Sequence, residues 1–202
     1  AADLGLPALG YVVSYVALQA ALDAAVERAG VDVRYGTSVE RVDAAPDRAL
    51  VRRSGGGDPI EARLAVVADG TGAALSGIER VRHDYGQVAV IGKIATARPH
   101  RGLAYERFAP AGPIALLPEG DHYGFVWSLA PDRAQETIAL PDDAFVARFA
   151  SQFGRRRTDF LRSWGRKAFP LVLEYAKPPV ATRIAAIGNA SQTLHPVAGQ
   201  GF

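Results

Sequence analysis

The sequence predicts a mixed α/β chain. A partial Rossmann-like layer is entered and left by the chain, and an antiparallel β-sheet domain is inserted between. Three observations carry this. Apolar residues recur at helical spacing between Ser14 and Gly30, and Leu64-Ala65-Val66-Val67-Ala68 is continuously apolar, as in a strand covered on both faces. After Gly77 the pattern becomes long alternating strands without helices between them. A last apolar run, Val180 to Ile187, re-enters the first layer. The expected domains are residues 1–77 with 180–202, and the insertion 78–179.

Gly10-Tyr11-Val12-Val13 leads into the helix, with Ser14 as N-cap and Gly30 as stop. Tyr15, Leu18, Leu22, Ala25 or Val26, and Ala29 form a stripe expected to lie on a sheet, while Gln19, Asp23, Glu27 and Arg28 face away. From Val31 the period changes to two: Val31, Val33 and Tyr35 alternate with Asp32 and Arg34, which predicts a strand. Val39 to Val42, Ala49 to Arg53 and Ile60 to Leu64 predict three more, the last two joined by the turn Ser54 to Pro59. That glycine-rich turn is no phosphate loop, because no helix start follows it and Asp58-Pro59 adds an anion and removes a donor. The buried strand ends in Asp69-Gly70, at the carboxyl end where open α/β sheets bind ligands. An Asp-Gly turn capping a strand is also an ordinary structural feature.

In the insertion, Gln87 to Ala97, Leu103 to Phe108, Ile114 to Leu117 and Tyr123 to Leu129 read as an antiparallel sheet. A helix is expected from Pro141-Asp142-Asp143 to about Phe153, with Phe145, Val146 and Phe149 on one face. The basic triplet Arg155-Arg156-Arg157 reads as a solvated turn ahead of a contact with anionic lipid or a nucleotide phosphate. Ala168 to Leu173 returns the chain to the sheet, and Lys177-Pro178-Pro179 marks the crossover.

Composition narrows the function. With 202 residues, 49% of them hydrophobic, the chain supports a real core, and a net charge of +2 offers no electrostatic case for nucleic acid. The absence of cysteine excludes disulfides and thiolate catalysis, and the four histidines lack metal-ligand spacing. Asp23 and Glu27 interrupt the best candidate membrane span, so a cytoplasmic chain is expected. No methionine occurs, even at position 1, and a longer reading frame is expected. No Ser-His-Asp set, carboxylate dyad or metal set is visible, which fits chemistry done by a cofactor.

The closing stretch, Gly188-Asn189-Ala190-Ser191-Gln192-Thr193-Leu194-His195-Pro196-Val197-Ala198-Gly199-Gln200-Gly201-Phe202, combines a strand exit, a His-Pro kink and a Gly-Gln-Gly turn. This is the composition of a cofactor loop or of a long surface loop. Together with Ala68-Asp69-Gly70-Thr71-Gly72 upstream, it resembles the flavin-contacting motifs of the class A flavoprotein monooxygenases, the para-hydroxybenzoate hydroxylase family. Its wording looks like the ubiquinone-biosynthesis branch, with Asn189 where the wider family has Asp.

The resemblance implies FAD, NAD(P)H as a transient reductant, and hydroxylation of a phenol with O₂. It implies cofactor contacts from Asp69, Gly70, Gly188, Asn189, Pro196, Gly199, Gln200 and Gly201. His195 and Pro196 take the catalytic positions. Pro196 would form a donor-free wall; His195 would tune protonation or orient the loop by a hydrogen bond. The family's opening βαβ unit with its Gly-x-Gly-x-x-Gly loop is missing from the chain.

Pro113 to Trp127 contains no Arg or Lys to bind a carboxylate, so Ile114, Leu116, Phe125 and Trp127 read as the lining of an apolar substrate cavity or as plain core. A polyprenylated phenol then implies work at the membrane surface, peripheral to the inner membrane, beside other proteins of ubiquinone biosynthesis. Two alternatives stay open: a substrate-domain fragment without FAD or activity, and another FAD-dependent member of the fold, a halogenase or reductase.

Overall fold

The computed structural model describes residues 5–70, 78–154 and 159–196. Its first elements are α1 (Tyr15–Arg28), β1 (Val39–Ala44), β2 (Ala49–Arg53), β3 (Ile60–Ala62) and β4 (Ala65–Val67). Then come β5 (Glu79–Thr96), β6 (Tyr105–Ala109), β7 (Gly112–Glu119), β8 (His122–Leu129), α2 (Pro131–Ile138) and α3 (Asp142–Phe153). The chain closes with β9 (Phe160–Lys177), β10 (Val180–Ala181), β11 (Ile184–Ala186), a 3-10 turn at Gly188–Ala190 and β12 (Gln192–Thr193). These elements fall into two compact units, Ala1–Asp32 with Gln87–Pro170, and Val33–Gly86 with Leu171–Phe202.

In the first unit the antiparallel strands run in the order β9-β5-β8-β7-β6. Period-two alternation along them sends Val90, Ile114, Leu116, Phe125 and Trp127 to one face, and the register stacks them across strands: Val90 and Ile114 both flank Trp127, and Leu116 flanks Phe125. Gly92 stands beside Phe125 because a Cβ there would collide with the ring. Helix α3 lays Phe145, Phe149 and Phe153 on this face, with Phe149 centred 5.1 Å from Phe125 and 5.5 Å from Trp127. Each such side chain contributes roughly 1.5–3 kcal/mol on burial. Helix α2, absent from the sequence reading, starts with Pro131 at its N-terminus and Asp132 in its first turn, and buries Ala134 and Thr137.

Helix α1 forms where its spacing places it, preceded by an extended Ser14 whose side chain makes no capping bond. The stripe expected to lie on a sheet is not buried. None of its residues is buried, and Tyr15 and Leu22 are 76% and 53% exposed. The strand expected over residues 31–35 does not form either: Val31 and Val33 lie outside any regular element, Tyr35 lies in a turn, and all three are exposed. A strand needs a ladder partner for its backbone groups, and no described strand pairs with this segment.

The second unit holds an antiparallel meander β1-β2-β3 and a small sheet ordered β10-β11-β4. Val42, Ala49, Val67, Ala176, Ile184, Ala186 and Ala190 form its core. The run 180–187 is a hairpin rather than one strand, turned by Arg183 at φ 60°. Strand β4 carries core only on its Val67 side; Leu64 and Val66 are exposed, so the expectation of two covered faces is not met.

Candidate functional site

Strands β4 and β11 are parallel neighbours, with Ile184, Ala185 and Ala186 opposite Ala65, Val66 and Val67. The Ile187 N–H continues the ladder, donating to the Val67 carbonyl at 3.0 Å. Parallel pairing delivers both carboxyl ends to the same edge, so Asp69-Gly70 and Gly188-Asn189 emerge side by side. Gly70 at φ 82° and Gly188 at φ 57° occupy the left-handed region that a side chain would strain, and space around each is open for a ligand to approach. Asp69 and Asn189 are both exposed at this edge.

The turn after β11 is fastened from several sides. Ser191 N–H donates to the Gly188 carbonyl at 2.9 Å, and Ala176 N–H donates to the Ser191 carbonyl at 2.8 Å. Strand β12 then pairs with the end of β9, Gln192 opposite Tyr175 and Thr193 opposite Glu174. Arg80 of β5 completes the clamp: its Nη1 donates to the Ala190 carbonyl at 2.6 Å and its Nε to Glu174 Oε1 at 2.7 Å. Sequence reasoning did not single out Arg80 or Glu174.

The pinned β12 presents His195 and Pro196 beyond it. His195 meets Tyr85 edge-on, ring centres 5.2 Å apart, and Tyr85 meets His83 in the same manner at 5.5 Å. Burial pushes the His195 imidazole below its ordinary value, since desolvation disfavours the cation. Pro196 is exposed beside it.

Gly199, Gln200 and Gly201, with Thr71, Gly72 and the triplet Arg155-Arg156-Arg157, lie outside the described residues. Ile114, Leu116, Phe125 and Trp127 are fully buried in the first unit's core, and Trp127 also borders a cavity. No group of His, Asp or Glu suited to a metal ion occurs among the described residues.

The residues at the β4/β11 edge fit a flavin nucleotide. They offer open glycine backbone, a carboxylate for hydroxyl groups and an amide that both donates and accepts. No protein-family model matches the chain. Ubiquinone hydroxylase UbiL of Rhodospirillum rubrum is 38% identical over 151 residues, covering 72% of this chain and 35% of that protein. The 3-demethoxyubiquinol 3-hydroxylase of Escherichia coli is 31% identical over 206 residues, covering 100% of this chain and 52% of that protein. This chain therefore spans about a third to a half of these curated relatives' length. Among solved structures, the myxobacterial FAD-dependent halogenase CndH matches with a TM-score of 0.71 at 21% identity, over 95% of this chain and 48% of the halogenase, a likeness of fold.

Proposed function

We propose that this chain, homologous to the ubiquinone-biosynthesis branch of the FAD-dependent aromatic monooxygenases, is part of a flavoprotein that hydroxylates a polyprenylated phenol with FAD, NAD(P)H and O₂. The observation that carries this is the parallel β4/β11 pair, which brings Asp69-Gly70 and Gly188-Asn189 to one edge. In this reading 1–77 with 180–202 belong to the FAD-binding domain and 78–179 to the substrate domain.

Bound FAD, with NAD(P)H as its reductant, would supply the activation of O₂. Asp69 would accept hydrogen bonds from its hydroxyl groups, and Asn189 would both accept and donate without a full charge. Gly70 and Gly188 would let the backbone approach closely and Pro196 would present a rigid wall without an N–H, with Gly199, Gln200 and Gly201 as further cofactor contacts in this reading. His195 is held neutral near pH 7 by burial, which suits a ring that orients the loop and tunes phenol protonation. Ile114, Leu116, Phe125 and Trp127 stiffen the substrate sheet from within its core.

The absence of Arg and Lys from 113–127 favours an uncharged phenol over a carboxylate-bearing one. No described helix is long and apolar enough to cross a membrane, and a prenylated substrate calls for peripheral contact with one, beside other proteins of ubiquinone biosynthesis. The halogenase alternative has only fold likeness at 21% identity behind it, whereas the sequence relatives at 31% and 38% are hydroxylases.

The test uses the full-length protein. Purified with FAD, it is expected to consume O₂ and NADPH in the presence of a prenylphenol and to release a product one oxygen atom heavier. A protein that binds FAD yet hydroxylates no prenylphenol sinks the substrate assignment; one that takes up no FAD sinks the flavoprotein reading itself.

A further inference from the structure

Strand β5 supports the closing motif at two points. Arg80 ties down the 188–190 turn, and further along the same strand Tyr85 stands against His195, ring centres 5.2 Å apart and planes at 89°. Tyr85 is aimed there by its neighbours. The Gly86 N–H donates to Asp84 Oδ1 at 2.8 Å, and Gly86 adopts φ 64°, the left-handed conformation that kinks a strand and redirects the side chain beside it. All of these residues belong to the second unit.

The contact is made by the ring and not by the hydroxyl. Tyr85 is 37% exposed and no part of the second unit's core, and its hydroxyl makes no hydrogen bond to a described residue. What its ring meets is two imidazoles, those of His195 and of His83, the latter at 5.5 Å and 88°. His83 is exposed, whereas His195 is half-buried and desolvated. On the strands that hold the motif, Glu174 is engaged by Arg80 and Asp84 by the Gly86 N–H, Arg82 is exposed, and Tyr175 stands opposite Gln192. The cover that β5 places on the imidazole is therefore an uncharged aromatic ring.

We propose that Tyr85 is a positioning residue for His195: its ring fixes the plane of the imidazole and shields it from water. That His195 serves a flavin site rests on the functional reading above; its contact with Tyr85 does not.

The experiment uses the full-length protein with Tyr85→Phe, which keeps the ring, and Tyr85→Leu, which keeps apolar bulk without it. ¹H–¹³C NMR follows the His195 ring, whose signals are identified by their loss in His195→Gln. In Tyr85→Leu the lost ring current is expected to shift the His195 ring protons, and the titration midpoint to rise toward 6.5 as the imidazole regains water. Tyr85→Phe should reproduce the wild type in both. His195 signals and midpoint unchanged in Tyr85→Leu, or altered as much in Tyr85→Phe, overturn the proposal. Should Tyr85→Leu not fold, nuclear Overhauser contacts between the two rings in the wild type decide, and their absence overturns it. The acid limb of the prenylphenol hydroxylation rate in the same variants separates this inference from the functional reading. A limb that moves to higher pH with the midpoint supports both. A midpoint that moves under a fixed limb supports positioning by Tyr85 and removes His195 from the chemistry, and absence of hydroxylation sinks the functional reading alone.

Discussion

Arg80 shows what one side chain holds in place. It joins a carbonyl of the 188–190 turn to Glu174, and the ion pair is largely shielded from water, with side chains 19% and 25% exposed. Hydrogen bonds to charged groups contribute roughly 1.5–3 kcal/mol, so Arg80→Ala is expected to cost about 2 kcal/mol in urea denaturation of the full-length protein. Arg80→Lys keeps the charge but not the two-pronged reach, and should recover less than half of that loss. A fully stable Arg80→Ala variant would remove the clamp from the account. The partners of Arg80 lie 94 and 110 residues away along the chain, a separation that local spacing does not encode. His195, by contrast, stands within the closing motif, and its environment sets a pH dependence. Its folded pKa is lowered, so the unfolded state takes up the proton first: the neutral ring's contribution is complete above the unfolded value of 6.5 and is lost as pH falls through the folded one. An NMR titration of the ring is expected to give a midpoint below 6.5, and a midpoint above it contradicts the burial seen here.

Elements were legible where the pattern and the partner lie close together. The hairpin strands β6, β7 and β8 pair with sequence neighbours, so alternation and turn residues specified them. Helix α3 announced itself through phenylalanines on one face. Residues 31–35 have the same alternation but no ladder, because strand formation depends on a neighbour and not on the strand's own residues. Helix α2 was missed because its eight residues are mostly polar and bury only Ala134 and Thr137. Glycines separate two demands that the sequence does not distinguish. At Gly112, φ is 128° and a Cβ would overlap the Ser128 carbonyl of β8, whereas at Gly188 the strain is in φ alone. Gly112→Ala is therefore expected to cost at least about 3 kcal/mol, from backbone strain plus a displaced strand, and Gly188→Ala about 1 kcal/mol. Denaturation of the two variants side by side checks the order, and equal losses would mean that φ, not the close approach, dominates at Gly112.

At the scale of the molecule, the two units differ in what stabilises them. The first is built on Tyr123, Phe125, Trp127, Phe145 and Phe149, and the second on valine, alanine and isoleucine. The division between them falls inside β5 and β9, strands of 18 residues each whose full length was not legible because their middles change environment along the way. Aromatic side chains bury roughly 150–250 Å² each, so the first unit's sheet and α3 should open least often, while α1, with no buried residue, should open readily. A helix of 14 residues is marginal by itself. Hydrogen exchange on the full-length protein without FAD is thus expected to be slowest at 88–94, 123–129 and α3, and slower at 184–186 than at the open β4/β11 edge. If that edge receives the flavin, mass action stabilises the local structure that binds it, by about 2.7 kcal/mol at a hundredfold excess over Kd. Added FAD should then slow exchange at 65–70 and 184–196 and leave α3 unchanged. Protection gained at α3 instead, with none at 65–70, would move the cofactor away from the strand ends on which the functional reading rests.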